Sequence, residues 1–244
     1  MAVIFITGSS GGLGQLAAAA LIAGGHRVFL HARNTESAHR AVEATPGAAG
    51  IFTADLTDPD AVKNMAMHAN RVQRYDAVIH NAGVYRGSPQ EIFKVNTLAP
   101  YLLTCLMERP QRLVYLSSGL HFQGTAPREG MGTGRIPVTY ADSKLFIVMF
   151  CRYLARKWPA VYANAVDPGW VPTRMGGRNA PDDLRQGYET QVWLASGQQD
   201  AAGVTGQYFH HRQKRRYLPL ADDNSLQDLL VGMCAKVSGV PFPS

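Results

Sequence analysis

Residues 3–14 read VIFITGSSGGLG, a short run of β-branched and aromatic residues that passes into glycines at 8, 11, 12 and 14. The apolar run predicts a strand over Val3–Thr7, and the Ala-rich stretch after it predicts a helix over Gly12–Ala23. Glycines in a strand-to-helix turn let the backbone bend tightly and come close to a diphosphate. The helix N-terminus then offers that anion free N–H groups and the positive end of its dipole. The residues that would do this are Gly8, Ser10, Gly11, Gly12, Leu13 and Gly14. Their spacing is G-x-x-x-G-x-G rather than G-x-G-x-x-G, so the turn alone leaves a purely structural role open.

The same loop satisfies G-x-S-x-G around Ser10, the nucleophile elbow of serine hydrolases, and Asp167 and His210 follow in the matching order. Position argues against that reading. The loop follows the first strand, so no upstream strand and loop exist to supply a second oxyanion donor.

Further along, short apolar runs alternate with longer amphipathic segments. Strands are expected at Arg27–His31, Gly50–Thr53, Ala77–His80, Arg112–Ser117, Val161–Val166 and Gln207–Phe209. Helices are expected at Glu36–Ala44, Pro59–Ala69, Gln90–Met107, Tyr140–Lys157, Pro181–Ala195 and Ser225–Val237. Strand-then-helix repetition predicts an α/β fold with a mainly parallel sheet covered on both faces. No composition shift, repeat or low-complexity tract divides the 244 residues, and one domain over 1–244 is expected.

At 46% hydrophobic and 17% charged the chain has apolar mass for a sizeable core. A net charge of +6 suits acidic ligands, but the densest basic cluster, Arg212, Lys214, Arg215 and Arg216, reads as a solvated C-terminal face or loop. No basic stripe with interleaved aromatics points to nucleic acid. Cys105, Cys151 and Cys234 show no CxxC or metal spacing and read as buried thiols in a reducing compartment. No positively charged leader precedes the first apolar run and no apolar stretch is long enough for a bilayer, so a soluble, cytoplasmic protein is expected.

If the glycine loop holds a dinucleotide, the end of the second strand meets its adenine ribose. An acidic residue there suits NAD, and an arginine suits NADP. The sequence has HARN, with Arg33 nineteen residues past Gly14, Asn34 beside it, and no carboxylate before Glu36. A guanidinium pairs bidentately with a 2′-phosphate, which a carboxylate would repel, so NADP(H) is favoured over NAD(H).

Taken together, TGSSGGLG (7–14), ADL (54–56), NAG (81–83), VN (95–96), SS (117–118), YADSK (140–144) and DPGWVPT (167–173) resemble the single-domain short-chain dehydrogenase/reductases over nearly the whole chain. The resemblance implies a seven-stranded Rossmann-type doubly wound sheet and nicotinamide chemistry. It implies that Asn96, Ser118, Tyr140 and Lys144 form a catalytic tetrad, Ser118 being preferred to Ser117 on its separation from Tyr140. It also implies that Asp55 and Leu56 meet the adenine and that Asn81, Ala82 and Gly83 turn under its ribose. Pro168, Gly169, Val171 and Thr173 would flank the nicotinamide. His80 before Asn81, the short segment from Asn81 to Asn96, and His121 in place of a glycine depart from the family pattern.

In such a set Tyr140 is the acid that protonates a carbonyl oxygen as hydride arrives at carbon. Its ordinary pKa of about 10 is high for that task. A lysine about 5 Å away contributes roughly 3 kcal/mol at an effective dielectric of about 20, or about two units of depression. The i, i+4 spacing puts Tyr140 and Lys144 on one helix face. Asn96 reads either as a buried side chain bonding local backbone or as a water anchor that relays protons to Lys144.

His121, Trp170 and Met175 are the substrate-side candidates, with a lid expected over 174–200 and a hydrophobic or aromatic ketone, aldehyde or secondary alcohol as substrate. The resemblance implies a homodimer or homotetramer, formed through the two long helices carrying Asn96 and Tyr140, whose apolar faces Leu98–Met107 and Leu145–Leu154 permit it, or through the last strand and helix. The competing reading from another class is a non-catalytic NADP-binding, redox-sensing scaffold.

Overall fold

In the first strand, β1 (Val3–Ile6), Ile4 and Ile6 join one apolar cluster while Phe5 joins another. β2 (Arg27–Ala32) repeats the division, with Val28 and Leu30 on one side and Phe29 on the other. Runs that are apolar on both faces belong in a sheet covered on both faces. The structure is a computed structural model and describes residues 1–197 and 203–243. The remaining strands are β3 (Gly50–Thr53), β4 (Ala77–His80), β5 (Arg112–Leu116), β6 (Tyr162–Asp167), β7 (Tyr208–His210) and β8 (Gln213–Lys214). Their order is β3-β2-β1-β4-β5-β6-β7-β8, parallel throughout except for the β7–β8 pair.

The helices are α1 (Gly12–Ala23), α2 (Thr35–Ala44), α3 (Pro59–Val72), α4 (Pro89–Phe93), α5 (Ala99–Leu106), α6 (Tyr140–Lys157), α7 (Leu184–Ser196) and α8 (Asn224–Ser238). α1, α2 and α7 pack on the Ile4 side, and α3, α5, α6 and α8 pack on the Phe5 side. Strand order reverses between β1 and β4, and the helices that follow them pack on opposite faces of the sheet, which places a crevice at the carboxyl ends of these strands.

All seven expected strands and all seven expected helical regions are present, with three differences. The sheet has eight strands rather than seven. β8 is only two exposed residues long and carries no apolar alternation that would reveal it. It is reached through His211 and Arg212 at φ +48° and +60°, where hairpin turns usually carry Asn or Gly. The helix expected over Gln90–Met107 is interrupted by a π-helical turn at Lys94–Leu98, centred on Asn96. The last three positions of the expected lid, 198–200, lie outside the described residues.

The surfaces expected to bind a second subunit also need correction. Leu98, Leu102, Leu103, Met107 and the run from Leu145 to Leu154 sit in the chain's own core, apart from the half-buried Arg152. α8 and the C-terminal tail complete that core: the Tyr101 hydroxyl donates to the Val240 carbonyl at 2.8 Å, and Phe242 packs on Tyr153 and Trp158. No helix among the described residues is long and apolar enough to cross a membrane.

Candidate active site

Gly8 and Gly14 are glycines because the turn after β4 leaves no room for a side chain. A Cβ on Gly8 would lie 2.8 Å from Ala82 Cα, and one on Gly14 would lie 2.4 Å from Asn81 Nδ2. Asn81 Nδ2 donates to the carbonyls of Thr7 (3.0 Å) and Gly8 (3.1 Å), and Ala82 N donates to Thr7 Oγ1 (3.1 Å). Thus the loops after β1 and β4 are laced together at the point where the sheet order reverses. Gly11 and Gly12 differ: a Cβ on Gly11 would meet nothing within 4 Å, and one on Gly12 only Thr173 at 3.9 Å. No side chain caps the N-terminus of α1 at Gly11. An open, uncapped helix end beside a glycine turn fits a diphosphate.

Sequence reasoning passed over His31. This buried imidazole accepts from Gly8 N at Nδ1 (2.9 Å) and donates from Nε2 to the Ala54 carbonyl (3.0 Å). The two bonds fix its neutral tautomer, because a backbone N–H needs an unprotonated ring nitrogen. Burial pulls its pKa down to about 4, against smaller opposing effects of the Ala54 bond and Asp55. His31 therefore ties the glycine loop to the end of β3.

At that end Arg33 stands exposed. Burial pushes the Asp55 carboxyl up, but bonds from Thr57 and the charge of Arg33 outweigh it and hold the group low. Leu56 beside it is buried. Asn34 beside Arg33 caps α2, its side chain accepting from Ser37 N at 2.9 Å. After β6, Gly169 adopts φ +81°, Val171 is buried against Gly187, and Thr173 approaches Gly12.

YADSK opens α6, and its middle residues build the frame for its ends. Thr139 and Asp142 form a reciprocal cap, and Asp142 also accepts from Thr125 N at 2.7 Å. Ser143 Oγ donates to the Tyr140 carbonyl (2.7 Å) and accepts from Asn96 Nδ2 (3.0 Å). Asn96 also clamps the Val84 backbone, accepting from its N–H (2.8 Å) and donating to its carbonyl (2.9 Å). The side chain of Asn96 is thus fully engaged, and the π-helical turn around it is where such turns often mark functional sites.

The two serines separate cleanly. Ser117 is buried and donates to the Lys144 carbonyl (2.9 Å), whereas Ser118 is half-buried, accepts from Leu120 N (3.2 Å) and lies close enough to the Tyr140 hydroxyl to favour its ionised form. Lys144 Nζ lies 5.3 Å from the centre of the Tyr140 ring and donates to the Leu116 carbonyl at 2.8 Å. Gly83 leaves both polar groups room, since its Cβ would fall 3.4 Å from Lys144 Nζ and 3.5 Å from Asn96 Oδ1.

The expected depression of the Tyr140 pKa is not what this frame imposes. Burial pushes the phenol up to about 12, with Asp167 and Tyr85 adding to it and the Ser118 bond opposing. Burial likewise pulls Lys144 down to about 8, against the pull of Asp167. Desolvation penalises the charged form of each group and is the largest cause of both shifts.

Tyr85 is exposed and lies edge-on to Tyr140 at 4.8 Å, and Phe122, Trp170 and Met175 are also exposed. His121 does not belong with them. It is fully buried, with Nδ1 on the Ser118 carbonyl (2.8 Å) and Nε2 accepting from Leu218 N (3.2 Å), so neither nitrogen remains for substrate. The alternative nucleophile Ser10 sits after β1, three strands from β6 and four from β7, or roughly 14–19 Å from Asp167 and His210 at 4.8 Å per strand.

Residues 2–107 match the family model for short chain dehydrogenases. An uncharacterized oxidoreductase of Emericella nidulans is 40% identical, the alignment covering 100% of this chain and 99% of the relative. A short-chain dehydrogenase of Penicillium rubens is 36% identical over 100% of both chains. Among solved structures, a blue fluorescent protein from a metagenomic library in complex with NADPH aligns with a TM-score of 0.71 at 24% identity, covering 86% of this chain and 95% of that one.

Proposed function

Since the chain belongs to the short-chain dehydrogenase/reductase family, an oxidoreductase family, we propose that it is an NADP(H)-dependent carbonyl reductase acting through Tyr140. The observation that carries this reading is the Tyr140 hydroxyl beside Ser118, with Lys144 Nζ 5.3 Å from the centre of the same ring. When bound, the reduced nicotinamide supplies a hydride to the carbonyl carbon.

Ser118 orients the carbonyl oxygen and stabilises its developing charge. Tyr140 donates its proton to that oxygen. A phenol held up at about 12 is fully protonated at neutral pH, which suits reduction better than the reverse reaction. Lys144, still mostly protonated at pH 7, compensates the phenolate left behind. Asn96 holds the Val84 turn and Ser143 in register, and a proton relayed from solvent past Asn96 to Lys144 restores the phenol and completes the cycle. Gly11, Gly12 and the N-terminus of α1 would hold the diphosphate, and Arg33 a 2′-phosphate. Pro168 to Thr173 would flank the nicotinamide, and the segment from Arg174 serves as the lid. Exposed Tyr85, Phe122 and Trp170 support a substrate with an apolar or aromatic body.

Equilibrium binding of NADPH and NADH tests the cofactor reading. NADPH should bind at least about tenfold more tightly, and Arg33→Ser should erase that margin. Failure of both to bind near about 1 mM, a bound of about 4 kcal/mol, would overturn it.

A further inference from the structure

Resting on the reductase reading above, we infer that the site accepts carbonyl compounds bearing a carboxylate, which is held by Lys214, Arg215 and Arg216 in a cleft at the β7–β8 edge. The cleft has a volume of about 540 Å³ and is lined by Gly119, Phe122, Asp167, Tyr208, His210 and the three cations. It adjoins the chemistry. Gly119 follows Ser118 in sequence, and Asp167 is close enough to act electrostatically on both Tyr140 and Lys144.

The basic cluster is exposed, as its composition suggests, and three of its members also line the cleft. The β7–β8 hairpin turns through His211 and Arg212 in left-handed conformations, which non-glycine residues rarely adopt. It is pinned on both sides: Arg212 N donates to Thr190 Oγ1 (2.9 Å) and Arg215 N to the Tyr208 carbonyl (2.8 Å). Arg212 itself lies 3.7 Å from Glu189 on α7, whereas Lys214, Arg215 and Arg216 form no ion pair among the described residues.

The one acid in the lining is already engaged. Asp167 accepts from the Tyr208 hydroxyl at 3.1 Å and lies 3.7 Å from His210 Nδ1. The cleft therefore presents three unpaired cations on a fixed backbone beside an aromatic wall of Phe122 and Tyr208. That combination selects an anion on an apolar body. Arginine's planar fork matches a carboxylate in particular.

The test uses the protein saturated with NADP⁺ for binding and with NADPH for turnover. Probes are 4-acetylbenzoate and 5-oxo-5-phenylpentanoate, each beside its methyl ester, which keeps the shape and removes the charge. Calorimetry should show the acids binding at least about tenfold more tightly than the esters. That preference should vanish in the variant Lys214→Gln/Arg215→Gln/Arg216→Gln and shrink between about 50 and about 500 mM salt. If the triple variant does not fold, the single substitutions should each remove about threefold or more.

Acids that bind selectly through the cations and are also reduced support both readings. Acids that bind this way with no NADPH oxidation support the carboxylate site and sink the reductase reading. Esters that bind or react as well as the acids overturn the carboxylate inference and leave the reductase reading standing. Failure of every probe to bind also overturns the inference.

Discussion

At the β1 end of the crevice a Cβ added to Gly14 would fall 2.4 Å from Asn81 Nδ2, whereas at the β7 end Lys214, Arg215 and Arg216 stand exposed around an open cleft. One end is specified by packing and backbone hydrogen bonds, with almost every atom committed. The other is specified by charge on a short edge hairpin, with room left over. The contrast fits the proposed division of the site, with a dinucleotide at one end and a particular substrate at the other. Tight packing makes changes at the first end costly to both fold and binding. At the second end they should alter preference while leaving the fold alone.

The largest effect should come from Lys144, which lies between the two ends. Lys144→Met is expected to cut the rate of carbonyl reduction by about 10²–10⁴ while thermal stability holds or rises, because a fully buried ammonium is removed. In the unaltered protein, kcat/KM for NADPH should fall as pH rises through about 8, where Lys144 loses its proton. A flat profile to pH 10 would remove Lys144 from the mechanism.

Next comes Gly14→Ala. The clash with Asn81 Nδ2 and the Gly8 carbonyl should weaken NADPH binding by about 100-fold and lower Tm, a loss of about 3 kcal/mol. Gly11→Ala, with nothing within 4 Å, should leave Tm nearly unchanged. Equal behaviour of the two variants in a melt would break the packing account.

His31→Gln should act more mildly, weakening NADPH by about tenfold through the lost anchor on Gly8 N. Its effect on stability depends on pH. The unfolded imidazole takes up a proton as pH falls below about 6.5, whereas the folded one resists until about 4. Stability is therefore lost as pH falls across that window, by up to on the order of 3 kcal/mol. His80, held down to about 3 by burial, contributes with the same sign, so the variant should flatten the acid slope only in part. An unchanged slope in urea titrations between pH 4 and 6.5 would contradict the assignment.

The smallest expected effect is at the open end. Lys214→Gln should change unfolding free energy by less than about 0.5 kcal/mol, since the side chain is exposed and forms no ion pair among the described residues. A drop of several degrees in Tm would mean that the hairpin cations serve the fold instead.

The same contrast explains what the sequence could reveal. The β1 end was readable because its constraints act on backbone, and backbone constraints leave glycines at fixed spacings. The strands were readable because apolar runs such as VIFI and RLVYL must be buried on both faces. YADSK announced its ends, but the cap at Asp142 and the bridge from Ser143 to Asn96 depend on residues brought together by folding.

His31 was invisible for a similar reason, since its partners Gly8 and Ala54 offer only backbone atoms. The upward shift of the Tyr140 pKa was not legible because it comes from burial, which the spacing of a pair of residues does not carry. Arg212 to Arg216 read as surface because a two-residue edge strand has no periodicity to place it over a cleft.

The most direct test of the central claim is transfer of deuterium from NADPH deuterated at nicotinamide C4 to the carbonyl carbon of the aryl ketone probes, comparing the unaltered protein with Tyr140→Phe. The account predicts label in the alcohol product of the unaltered protein. It predicts NADPH binding within about threefold in the variant and transfer reduced by at least about 10². Transfer at an undiminished rate in Tyr140→Phe would contradict it.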